Sequence, residues 1–126
     1  MKKIINNKMY NTETATHIES ISYGRNRRDY SYYEESLYRK KTGEFFLYGS
    51  GGPASKYRKE VAPHSWESGE DIIPVTLEEA KRWCEMYISP DYYEEVFGPV
   101  EEWDYVHHTI LMEYFFAFQH KWIIVC

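Results

Sequence analysis

The stretch from Tyr30 to Gly49 limits what this chain can fold into more than any other. Tyr30-Ser31-Tyr32-Tyr33-Glu34-Glu35-Ser36-Leu37-Tyr38-Arg39-Lys40 is followed by Lys41-Thr42-Gly43 and then by Glu44-Phe45-Phe46-Leu47-Tyr48-Gly49. Two runs rich in rings around a Thr-Gly turn predict a β-hairpin. Side chains alternate faces along a strand, so Tyr32-Tyr33 and Phe45-Phe46 each place rings on both faces. One face of such a hairpin can pack on a helix while the other stays partly open.

Weaker signals flank that hairpin. Asn6-Asn7 between Ile4-Ile5 and Lys8-Met9-Tyr10 suits a two-residue turn, because Asn tolerates positive φ. Thr14 to Glu19 is expected to form one helical turn, and residues 58–71 a polar loop holding Pro63, His64, Trp66 and Gly69. Ile72-Ile73-Pro74-Val75 reads as a short extended piece that its proline keeps out of a central strand.

Thr76 with Glu79 three residues on has capping-box spacing. Leu77, Ala80, Trp83, Cys84, Tyr87 and Ile88 then form one apolar stripe at helical spacing, which makes Cys84 a core residue. Ser89 can cap a second helix with Pro90 at its first position, running to Phe97 before Gly98-Pro99. Trp103, Val106, Ile110, Leu111, Tyr114, Phe115 and Phe118 repeat the helical stripe, and Lys121 to Cys126 reads as a strand or extended tail. The expected fold is α+β: a small antiparallel sheet with a central aromatic hairpin, packed against two or three helices. A length of 126 residues fits one domain, 1–126.

Composition narrows the function classes. With 43% hydrophobic and 28% charged residues the chain is a folding sequence, and 13 tyrosines are its outlier. Tyr suits half-buried sheet faces and interfaces equally. Met1 to Lys8 has no apolar core of a secretory signal, and no apolar run reaches membrane-spanning length. Cys84 and Cys126 belong to no CxxC and read as free thiols, so the expected location is cytoplasmic. The net charge of −5 hides a basic segment at residues 1–59 and a strongly acidic one at 70–104. Such a chain can fold against itself or offer two faces to different partners.

No enzyme motif is present, and no cofactor is implied. Gly49-Ser50-Gly51-Gly52 follows a strand but lacks both GxxxxGK[ST] and GxGxxG, so a tight turn or hinge is the simpler reading. His107, His108 and His120 have no metal-ligand spacing, and His17 and His64 stand alone. Glu34-Glu35, Glu78-Glu79, Glu94-Glu95 and Glu101-Glu102 are sequence neighbours, which does not place carboxylates across a cleft.

Two sets of residues point to binding. Glu78, Glu79, Glu85, Tyr92, Glu94 and Glu95 are carboxylates beside rings on helices, a surface suited to a protein partner's basic groove. Arg25, Arg27 and Arg28 precede Tyr30, Tyr32 and Tyr33, pairing charge for phosphate with ring faces for bases of a single strand. Arg39, Lys40 and Lys41 would extend that basic patch at the hairpin turn.

Lys3 to Ala15, Glu35 to Pro53 and Ile73 to Trp83 together resemble small uncharacterised proteins of Firmicutes and their phages, over roughly residues 3–98. That resemblance carries no residue roles. It implies a mobile-element setting, in which small acidic proteins inhibit host defence machinery, CRISPR effectors included. The first expectation is therefore an accessory protein that binds and inhibits a host protein through the acidic-aromatic set. The alternative is a small single-stranded nucleic-acid binder using the basic-aromatic set. Residues 101–126 depart from the family's usual end and read as an extension that packs on the sheet or forms a homodimer.

Overall fold

The computed structural model describes residues 1–102. Among these residues eight strands precede two helices: β1 (Lys2–Ile5), β2 (Lys8–Asn11), β3 (Thr16–Tyr23), β4 (Tyr33–Arg39), β5 (Phe45–Gly51), β6 (Lys59–Ala62), β7 (Ser65–Glu67), β8 (Gly69–Val75), α1 (Leu77–Tyr87) and α2 (Pro90–Phe97). The architecture is α+β. The chain divides into two units, Met1–Tyr93 and Glu94–Cys126.

The first unit is built on a four-stranded antiparallel sheet in the order β3-β4-β5-β8. The aromatic hairpin is its centre: β4 and β5 pair from Tyr33 opposite Gly51 to Arg39 opposite Phe45. Lys40 and Glu44 close the turn with a backbone hydrogen bond of 2.7 Å, and Gly43 supplies a φ of 95°. On one face Leu37 and Phe45 are buried, and α1 packs over β5 with Ala80, Trp83 and Cys84 buried. On the other face Phe46 and Ile72 form a core with Tyr10 of the β1–β2 hairpin, flanked by Tyr38 and Tyr48. Both faces of the central hairpin are thus covered over much of their area, which is where Phe45-Phe46 sends its two rings.

The local signals for the first hairpin and for α1 act as expected. Asn6 and Asn7 take φ of 50° and 66° between β1 and β2. The Thr76 hydroxyl accepts from the Glu79 N–H at 3.1 Å while the Glu79 carboxylate accepts from the Thr76 N–H at 3.0 Å. The Ser89 hydroxyl accepts from the Tyr92 N–H at the start of α2.

Two segments differ from expectation. Thr14 to Glu19 is not a helical turn. The chain turns at residues 12–15, where Asn11 accepts from the Ala15 and Glu13 N–H groups, and Thr16 already begins β3. Ladder pairing with β4 outweighs the weak helical propensity of so short a piece. Residues 58–71 are not a loop either: they hold the exposed β6–β7 hairpin and the first residues of β8. The stripe from Trp103 to Phe118, the Lys121–Cys126 segment and the late histidines lie outside the described residues.

Candidate binding surface

One end of the sheet, where β4 begins and β5 stops, collects two loops. The first, residues 24–32, is held by its own polar side chains. Asn26 accepts from the Arg28 N–H at 2.8 Å, and Asp29 accepts from the Ser31 N–H and hydroxyl at 2.9 and 2.7 Å. Those bonds hold the Asp29 carboxyl below its ordinary range. The second loop, residues 52–58, is closed by Ser55, which bonds the Gly52 carbonyl through both its N–H and its hydroxyl. The loops are tied to each other: Gly52 N–H donates to the Tyr32 carbonyl, and Ala54 N–H to that of Tyr30, both at 2.9 Å.

That joint brings together residues distant in sequence. From the first loop come Arg25, Arg27 and Arg28, all exposed. From the second come Lys56 and Arg58, with Lys59 opening β6. Rings lie among them. Tyr23 and Tyr33, cross-strand partners at the end of β3 and the start of β4, stack with centroids 5.3 Å apart. The Lys56 ammonium sits 4.9 Å from the Tyr33 centroid, and the Arg58 guanidinium 4.1 Å from that of Trp66. Tyr23 is 60% exposed and Tyr30 74%, so ring faces remain open to solvent.

Beneath this surface lies a buried carboxylate, Glu35, only 3% exposed. Tyr57 donates to Oε2 at 2.6 Å, Trp83 donates to Oε1 at 3.0 Å, and Lys56 forms an ion pair with Oε2. Burial pushes the Glu35 carboxyl up, but the hydrogen bonds from Lys56, Tyr57 and Trp83 outweigh it and hold it below the ordinary value. Burial also raises the Tyr57 phenol, and its bond to Glu35 adds to the effect. The carboxylate therefore fixes Lys56 beside Tyr33 and ties α1 to the same place.

The glycine-rich stretch is not a turn or hinge: Gly49 to Gly51 are the last residues of β5, and packing explains why glycines stand there. A Cβ on Gly49 would lie 1.9 Å from the Tyr57 ring, one on Gly51 2.3 Å from the Ser55 hydroxyl, and one on Gly52 2.5 Å from the Tyr30 carbonyl. These positions are bare so that the second loop can lie down on the sheet.

The opposite face at this end is less basic. Arg27, Tyr32, Glu34, Ser50 and Glu70 line a shallow, open groove of about 430 Å³. Glu34 accepts from Arg27 at 3.2 Å and from the Tyr32 hydroxyl at 2.9 Å, and Tyr48 donates to Glu70 at 2.6 Å. The Glu70 bond pushes the Tyr48 phenol up to about 12.

Of the basic-aromatic set, Arg25, Arg28, Tyr30 and Tyr33 therefore lie on or beside the open surface, while Arg27 and Tyr32 are engaged with Glu34. Arg39, Lys40 and Lys41 do not extend it. They lie at the other end of β4, a strand of seven residues and roughly 23 Å. Lys56, Arg58, Lys59, Tyr23 and Trp66 take their place. The sequence holds no local signal for them: Tyr23 arrives by pairing opposite Tyr33, Trp66 by the pairing of β6 with β7, and the second loop's cations by the loop-to-loop bonds.

The acidic-aromatic set divides between two helices. Glu78, Glu79 and Glu85 are on α1; Tyr92, Glu94 and Glu95 are on α2. Glu79 is engaged in the capping box, the Tyr92 hydroxyl donates to the Ile18 carbonyl at 2.6 Å, and Glu94 accepts from the Val100 N–H. Glu78, Glu85 and Glu95 are exposed.

Among the described residues no group of three or more His, Cys, Asp and Glu side chains sits together as metal ligands would. His17 bonds the Ser20 hydroxyl at 2.7 Å, and His64 occupies the β6–β7 turn at a φ of 61°. No helix among the described residues is long and apolar enough to cross a membrane. Comparison of the chain with protein-family models, with curated proteins and with solved structures finds no match in any of the three.

Proposed function

We propose that the chain works by binding, without catalysis, and that its basic-aromatic end takes a single strand of nucleic acid. One observation carries this reading: two mutually bonded loops bring Arg25, Arg28 and Lys59 to the same end as the exposed Tyr23, Tyr30 and Trp66 rings. A single strand needs cations along its backbone and ring faces for its bases, and it tolerates any base order on such a surface. Charge balance also supports it. The unit Met1–Tyr93 contains fourteen Lys and Arg and fourteen Asp and Glu, so the net −5 belongs to residues 94–126 and not to the sheet.

A second reading keeps the host-protein partner: an acidic surface that binds and inhibits a nucleic-acid-binding defence effector, in the mobile-element setting implied by the resemblance of residues 3–98. One observation favours it. Glu78 and Glu85 on α1 are exposed and make no ion pair among the described residues. Affinity capture from host lysate, with and without nuclease, separates the two. Capture that disappears with nuclease supports the basic-aromatic end. A protein retained after nuclease, and lost when Glu78 and Glu85 are changed to Lys, supports the acidic surface instead.

A further inference from the structure

The sheet has two outer strands, β3 and β8, and an outer strand offers unpaired N–H and C=O groups to any other strand. Both are closed here in the same way. On β3 the Ser20 N–H is taken by the side chain of the preceding residue, Glu19, at 2.9 Å. On β8 the Ile72 N–H is taken by the side chain of the preceding residue, Asp71, at 2.8 Å. Neither N–H is therefore offered to a neighbouring chain. A second element completes each closure. The Tyr92 hydroxyl covers the Ile18 carbonyl beside the β3 bulge, and Lys3 forms an ion pair with Asp71 on β8. Pro74, two residues after Ile72 and on the same outer side, has no N–H to offer.

We propose that Glu19 and Asp71 act as edge caps that prevent a second copy of this chain from adding its outer strand to the sheet. What remains on β3 past Ser20 is a stretch of three residues, Ile21 to Tyr23, at the short limit of strand length. A partner is thereby directed to the loop end or to the helices, and the sheet of each copy stays separate. None of this depends on what the basic-aromatic end binds.

The test uses the full chain, by sedimentation velocity across a concentration series and by amide hydrogen exchange. Glu19→Ala and Asp71→Ala remove the caps, while Glu19→Gln and Asp71→Asn keep an acceptor and lose only charge. The expected result is a sedimentation coefficient that rises with concentration more steeply in the Ala variants than in the wild type, with the Gln and Asn variants following the wild type. Protection of the Ser20 and Ile72 amides should fall at least tenfold in the corresponding Ala variant. Folded Ala variants that associate no more than the wild type, or wild-type Ser20 and Ile72 amides that exchange as freely as loop amides, would overturn the proposal. The exchange measurement decides even where an Ala variant is too unstable for sedimentation.

Discussion

Trp83 of α1 donates its indole N–H to Glu35 of β4 at 3.0 Å across 48 residues of sequence, and it is the bond that joins helix, sheet and loop at one carboxylate. Three donors satisfy a charge that would otherwise be costly to bury. Lys56 is half exposed, so its share is discounted for solvent screening. Glu35→Ala is expected to cost about 2–4 kcal/mol, because it leaves the Trp83 and Tyr57 donors buried without an acceptor. Urea denaturation of the two proteins checks it.

The same carboxylate sets a pH dependence. Its folded-state pKa lies below the ordinary 4.5, so its contribution to stability is complete above 4.5 and is lost as the pH falls through the folded value. Thermal melts taken from neutrality downward should show a loss below 4.5 that is smaller in Glu35→Gln. Glu44 adds to acid sensitivity in the same direction, since bonds from Lys8 and Thr42 hold its carboxyl at about 2. Equal acid sensitivity of wild type and Glu35→Gln would remove Glu35 as the cause.

Gly49→Ala should be among the most damaging small substitutions in the sheet. Its methyl group would meet the Tyr57 ring, which is buried and bonded to Glu35, so neither can yield easily. Overpacking of this kind costs about 1–3 kcal/mol. Gly43→Ala, where a Cβ meets nothing within 4 Å, tests backbone strain alone at a φ of 95°. Melting temperatures of the pair distinguish the two causes.

Cys84 is fully buried, and burial raises its thiol to about 11. In a Cys126→Ser background it should resist alkylation in the folded protein and react at once in denaturant. Rapid modification without denaturant would show that α1 opens from the sheet far more often than its packing implies.

The parts of the fold written in short-range patterns are legible in the sequence. Asn6-Asn7, Thr76 with Glu79, Ser89-Pro90 and the Thr-Gly turn each act within four residues of themselves, and each does in the structure what its chemistry predicts. The stripe of Ala80, Trp83 and Cys84 is legible because helical period is also local. Glu35 is not. In sequence it is half of an exposed-looking Glu-Glu pair, and its burial depends on Lys56, Tyr57 and Trp83 arriving from elsewhere. The surface follows the same rule: the arginine loop can be read, while Lys56 and Arg58 join it through the bonds from Gly52 and Ala54, and Trp66 through the pairing of β6 with β7. Thr14 to Glu19 reads as one helical turn in sequence, because the strand that begins at Thr16 is set by the β4 ladder and not by a local signal.

Fluorescence anisotropy of a labelled single-stranded oligonucleotide across a salt series tests most directly whether the loop end binds a single strand through cations and rings. The logarithm of wild-type affinity should fall linearly with the logarithm of salt concentration. Arg25→Gln with Arg28→Gln should flatten that slope by about 0.7 for each phosphate no longer neutralised. Tyr23→Ala should weaken binding by about 1–3 kcal/mol and leave the slope unchanged. An oligonucleotide that does not bind at low salt, or binding that all three substitutions leave intact, would contradict a basic-aromatic site at this end of the sheet.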